Sequence, residues 1–131
     1  TIRMNKIYIL TLAISLLSSC KETYRNVDPA GFNDRIKEKT DIPNAEELIK
    51  LYYSHSKINS SNHSISVKKN RNNVFLVTLI NPALEDDSLS AEKIEITAEK
   101  KDQYWKVIEI RESWKCWPGR GHTGWGAKPC D

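Results

Sequence analysis

Val74-Phe75-Leu76-Val77-Thr78-Leu79-Ile80 is an unbroken apolar and β-branched run, the pattern of a central strand covered on both faces. Asn70-Arg71-Asn72-Asn73 before it reads as a turn, because asparagine side chains bond their own backbone and tolerate left-handed conformations. Ahead of that turn, Ser64 to Lys69 alternates, with Ile65 and Val67 apolar. After the central run, Lys93-Ile94-Glu95-Ile96-Thr97-Ala98-Glu99 alternates cleanly, which directs Ile94, Ile96 and Ala98 to the core. Lys101-Asp102-Gln103 reads as a turn into a fourth strand, Tyr104 to Trp114, whose alternation breaks around Val107 and Ile108. Such a break predicts a β-bulge. Further upstream, Ala45, Leu48, Ile49, Leu51, Tyr52 and His55 recur at spacings of three and four, predicting one apolar helix face over Pro43 to His55. Thr40 or Asp41 is the expected N-cap, with Pro43, Glu46 and Glu47 in or near the first turn, where a fixed φ and negative charge are favourable. One helix followed by four strands with short turns predicts an α+β fold, the helix packed on an antiparallel meander.

That order of elements resembles the cystatin-like class of small α+β folds. The resemblance rests on element order and implies no function, since such scaffolds host inhibitors, enzymes and binding modules alike. The sequence has no internal repeat. Residues 21 to about 40 are polar, without apolar periodicity, and read as a tether with at most a short ordered turn from Pro29 to Ile36. The predicted division is a leader over 1–19, a tether over 20–40 and one domain over 41–131.

At the N-terminus, Arg3 and Lys6 precede an 11-residue apolar run from Ile7 to Leu17, and no acidic residue appears before Glu22. A helix that crosses a bilayer needs about 20 residues, so the run reads as the apolar region of a secretory signal. Met4-Asn5-Lys6 is a normal start for such a signal, with Thr1 to Arg3 as upstream sequence. Leu17-Ser18-Ser19-Cys20 then resembles the lipobox of bacterial lipoproteins: an aliphatic residue, two small ones and a cysteine. The resemblance covers about the first 20 residues. It implies cleavage before Cys20, acylation of its thiol and anchoring to membrane lipid. Lys21 follows Cys20, so the chain lacks the aspartate that resembles an inner-membrane retention signal, and delivery to the outer membrane is expected. Lys21-Glu22 also partly resembles the charged export tags of some surface lipoproteins.

With Cys20 taken by lipid, Cys116 and Cys130 are the remaining cysteines, and an oxidising compartment favours their pairing as a disulfide. The alternative, free or metal-binding thiols, lacks a second cysteine pair or a histidine at zinc-finger spacing. Loss of residues 1–19 leaves 18 basic against 17 acidic side chains over 112 residues. Near-neutral charge gives no global attraction to nucleic acid, and the length suits one domain.

Few residues could carry chemistry. His55 falls on the helix's apolar side and His63 just before the first strand, neither with a second ligand at metal spacing. Glu85-Asp86-Asp87 lacks the alternating ligands and glycine of a calcium loop and reads as a solvated loop. There is no Gly-x-Ser-x-Gly elbow. No catalytic residue, metal ligand or cofactor motif is assigned.

The segment Trp114 to Cys130 stands apart, holding four of the chain's five glycines and three of its four tryptophans. Its Cys-Trp-Pro-Gly-Arg-Gly-His…Cys ending resembles that of small uncharacterised exported bacterial proteins, from which no activity carries over. Two readings apply. In one, Trp117, Arg120, His122 and Trp125 bind an anionic or sugar-like envelope ligand, since indole faces and a guanidinium stack and pair with such groups. In the other, the tryptophans form a lid over the sheet while Arg120 and His122 satisfy loop carbonyls. The sequence is therefore read as a lipid-anchored envelope protein acting as a non-catalytic binding or assembly module, with an envelope glycan or protein as partner. Two alternatives stay open: a small envelope-polymer hydrolase or transferase using His122, and an inhibitor or immunity-type protein binding a protein partner.

Overall fold

The computed structural model describes residues 22–53, 62–82 and 84–131. Residues 1–19, expected to form a leader, and Cys20 and His55 lie outside them. The elements in chain order are β1 (Arg25–Val27), α1 (Ala30–Ile36), α2 (Ala45–Tyr52), β2 (Ser64–Lys69), β3 (Val74–Asn81), β4 (Leu89–Lys101) and β5 (Tyr104–Cys116). All neighbouring strands are antiparallel, in the order β1-β5-β4-β3-β2. The architecture is α+β, as the sequence predicts, with one more helix and one more strand. Among the described residues no helix is long and apolar enough to cross a membrane.

Both additions fall in the stretch expected to be a tether. β1 pairs Arg25 with Glu112 and Val27 with Ile110, extending the sheet beyond β5. α1 buries Phe32 and Ile36, one turn apart, in the main core. Between them the helix presents Asn33, whose amide bonds both backbone groups of Val107: Nδ2 donates to the carbonyl at 2.9 Å, and Oδ1 accepts from the amide at 2.8 Å. Val107 lies past the end of β1, so these groups would otherwise have no strand partner, and an unpaired buried backbone group is costly. A polar tether prediction fails because a three-residue strand and a seven-residue helix with two apolar positions carry too little periodicity.

α2 begins at Ala45, after Pro43, with Asn44 as its N-cap; the Asn44 side chain accepts from the Glu47 amide at 3.1 Å. Asparagine caps at least as well as Asp41 or Thr40 would, and here it sets the start. Leu48 and Ile49 are fully buried. They meet Val77, Leu79, Ile94, Ile96, Ala98, Val107 and Ile110 in one core. The indole of Trp105 closes one end of it, donating to the Ile42 carbonyl at 3.1 Å.

β3 lies between β4 and β2 as a central strand should, but it is covered on one face only. Val77 and Leu79 are buried, whereas Leu76, Thr78 and Ile80 on the other face are partly exposed. The predicted bulge is present: Thr97 pairs Glu109 and Ala98 pairs Val107, leaving Ile108 without an opposite residue and half-exposed. The Asn70–Asn73 turn forms with the Asn70 carbonyl oxygen of the side chain accepting from Asn72 and Val74, and with Asn73 at φ 60°.

Candidate functional site

β5 ends at Cys116, which is joined to Cys130 by a disulfide with Cα atoms 5.6 Å apart. The loop between them folds back on β5. Trp114 and Gly126 exchange backbone bonds of 2.9 and 3.0 Å, and the Cys116 amide donates to the His122 carbonyl at 2.8 Å. Two glycines are required by this close packing. Gly121 has φ 142°, and a Cβ there would lie 2.9 Å from the Cys116 Sγ; one at Gly126 would lie 3.1 Å from the His122 ring. The chain end is tied to the β3–β4 connection: Trp117 N donates to Ser88 O at 2.9 Å and Ser88 Oγ to Asp131 O at 2.7 Å.

The four candidate ligand residues engage different neighbours. His122 Nδ1 lies 2.9 Å from the Gly124 carbonyl oxygen and Nε2 2.9 Å from that of Lys128. Both partners are acceptors, so a neutral imidazole donates to one of these carbonyls and an imidazolium to both. Trp117 donates its indole N–H to the Asp86 carbonyl at 2.8 Å with its ring half-exposed. Trp125 lies between two ammonium groups, Lys93 at 4.8 Å and Lys115 at 4.7 Å from the ring centre. Arg120 is exposed and contributes backbone bonds to Trp117 and Asp131. His122 thus bonds within its own loop, and Trp117 bonds to the β3–β4 connection with its ring exposed. We expect His122→Ala to cost about 1–2 kcal/mol in a thermal or urea melt, the range for one to two net hydrogen bonds. An unchanged melting temperature would mean that the loop does not need the ring.

Cys116 Sγ, Cys130 Sγ and a His122 nitrogen lie within 4.8 Å of one another. With the sulfurs bonded together, the set offers an imidazole and no thiolate. Asp86, in the acidic stretch, accepts from the amides of Ser88 and Leu89 at 2.8 and 2.7 Å. Those bonds hold its carboxyl below the usual range, and they give it a turn-capping role.

Next to the disulfide lies a cleft of mixed lining that sequence reasoning missed. It has a volume of about 420 Å³ and is lined by Arg25, Asp86, Ser88, Leu89, Glu92, Trp114, Pro129 and Cys130. The end of α2 bonds to the glutamates of β4 and β5 beside it. Tyr52 donates to Glu112 Oε1 at 2.8 Å and Tyr53 to Glu92 Oε2 at 2.6 Å. Arg25 pairs with the other Glu112 oxygen, Oε2, and stacks 5.0 Å from the Trp114 ring centre. Glu112 is nearly buried, and a buried carboxylate persists when its oxygens are paired. The signal was concealed: Tyr52 fits the apolar helix stripe, and Glu92 and Glu112 look like the polar half of alternating strands.

No known protein family, curated protein or solved structure matches the chain. The arrangement therefore has to be read from its own chemistry. A guanidinium, the carboxylates of Asp86 and Glu92 and an indole line an open cleft and can recognise a polar ligand, with Glu92 already bonded to Tyr53.

Burial, followed by the bonds to Glu112 and Glu92, raises the pKa of Tyr52 and of Tyr53 well above the ordinary tyrosine value. Unfolded tyrosines ionise near pH 10, so above that pH the unfolded chain loses protons that the folded one retains. Stability contributed by these groups is present below about pH 10 and is lost as pH rises beyond it. We expect an alkaline decline in unfolding free energy that becomes shallower in Tyr52→Phe/Tyr53→Phe. Equal slopes across urea melts at several pH values would show that these phenols are not the source.

Proposed function

We propose that this chain is a lipid-anchored protein of the cell envelope, its single domain serving as a binding or assembly module without chemistry of its own. The observation that carries the reading is the pairing of Cys116 with Cys130. It leaves Cys20 as the one cysteine outside the disulfide, at the end of a lipobox-like Leu17-Ser18-Ser19-Cys20. A disulfide also suits an exported protein better than a cytosolic one.

The helix-on-meander order supports treating the scaffold as cystatin-like, and that scaffold carries recognition through what is grafted on it. Here the grafted parts are the disulfide-closed loop and the cleft beside it. An envelope glycan or protein is the partner, and nucleic acid is not. The commitment of both His122 nitrogens to loop carbonyls favours binding over a hydrolase or transferase that would use this ring as acid or base. The absence of aspartate after Cys20 supports delivery to the outer membrane.

The test is the intact mass of protein extracted from membranes, before and after reduction, with a Cys20→Ala control. The reading expects a mass from Cys20 onward plus acyl chains, increased by two hydrogens on reduction. An uncleaved, unacylated chain with three free thiols would overturn it.

A further inference from the structure

A lipid anchor on Cys20 leaves almost no leash. Only Lys21 separates Cys20 from Glu22, and consecutive Cα atoms are 3.8 Å apart, so Glu22 lies within about 8 Å of the acylated residue. Glu22 already belongs to the domain. Its carboxylate pairs with Lys93 and accepts from the Tyr24 hydroxyl at 3.2 Å. The part of the surface around Glu22 must therefore sit at the level of the lipid headgroups.

That surface is the sheet face turned away from the helices. Lys93 faces Ser113 and Glu95 faces Arg111 in the β4–β5 register, alternating with the buried Ile94, Ile96 and Ile110. The Lys93 ammonium links Glu22 to two aromatic rings, 5.9 Å from Tyr24 and 4.8 Å from Trp125. Arg111 lies 5.2 Å from Tyr24, and Lys115 4.7 Å from the opposite aromatic, Trp125. Lys93 and Arg111 have acidic partners in Glu22 and Glu109. Among the described residues Lys115 forms no ion pair. Tryptophan and tyrosine favour the membrane–water interface, and basic side chains favour anionic headgroups.

From these observations we infer that the Tyr24–Trp125 face, with Lys115, docks on the anionic phospholipid headgroups of the membrane that holds the Cys20 anchor. The inference rests on the lipid-anchor reading and adds an orientation to it. Glu92 and Glu112 lie on the opposite sheet face from Lys93 and Ser113, so docking leaves the cleft beside the disulfide turned away from the lipid and open to a partner.

The test uses the oxidised chain from Cys20 to Asp131, which retains every described residue. Its Cys20 thiol is joined to a maleimide phospholipid in vesicles of phosphatidylcholine and phosphatidylglycerol, part of the lipid carrying brominated acyl chains. Tryptophan emission should fall relative to unbrominated vesicles, and Trp125→Phe should abolish most of that fall. A second measurement guards against misfolding of that variant: untethered Cys20→Ser protein should bind phosphatidylglycerol vesicles about fivefold more weakly once the positive charge of Lys115 is removed in Lys115→Gln at low salt. Absence of quenching, quenching unchanged in Trp125→Phe, or vesicle binding indifferent to Lys115→Gln would overturn the orientation. The chemical linkage makes this independent of cellular acylation. A protein that is acylated in cells but fails here loses the docking face and keeps the anchor, whereas an unacylated one loses the anchor reading itself.

Discussion

Phe32→Ala will lower the unfolding free energy by about 3–5 kcal/mol, the usual cost of removing a buried aromatic side chain. Phe32 is 5% exposed, meets the Tyr52 ring edge-on with centroids 5.3 Å apart, and carries the Arg35 guanidinium 5.0 Å from its own centre. The cost arises from lost transfer energy and from the cavity left between α1, α2 and the sheet. Because a small domain has only about 5–15 kcal/mol of stability in total, a urea melt will show a large drop in midpoint. The same substitution in a solvated tether would change stability by less than about 0.5 kcal/mol. A shift that small would mean that residues 30–36 do not belong to the cooperative unit. The measurement also bears on the membrane inference, because a domain beginning at Glu22 leaves a short leash, whereas a loose segment to residue 40 would let the domain swing freely.

What the sequence reveals here follows how often a pattern repeats. β2 has its predicted bounds, β3 and β5 run one and two residues past theirs, and β4 gains six, because apolar or alternating runs of six or more residues leave few other assignments. The bulge at Ile108 is legible for the same reason, as a phase error in a long alternation. α1 offers one apolar spacing, Phe32 to Ile36, and its decisive residue is polar: Asn33 acts through two backbone bonds that no hydropathy pattern records. The disulfide was legible from cysteine number once Cys20 was set aside. The cleft was not, since Arg25, Tyr52, Glu92 and Glu112 come from four separate elements, and their meeting depends on β1 joining the sheet. His122 was singled out correctly as unusual, but its surroundings assign it to the loop's own carbonyls.

Replacing both Cys116 and Cys130 with alanine will destabilise the domain by about 3 kcal/mol, the chain-entropy value for closing a loop of this length. For a domain of this size that corresponds to a fall of roughly 12 °C or more in melting temperature. The loop has unusual need of the closure. Four glycines between residues 119 and 126 enlarge the conformational freedom of the unfolded segment, and the cross-link removes part of that freedom before folding begins. In the folded chain the loop returns bonds to β5 through Gly126 and His122 and to the β3–β4 connection through Trp117 and Asp131. Those contacts form only if the loop is gathered. His122→Ala should therefore cost less in the alanine pair than in the oxidised parent, because a loop already frayed no longer holds the ring between Gly124 and Lys128. Strictly additive losses would instead mean that the imidazole and the disulfide stabilise the loop independently, and that the loop stays folded without its covalent closure.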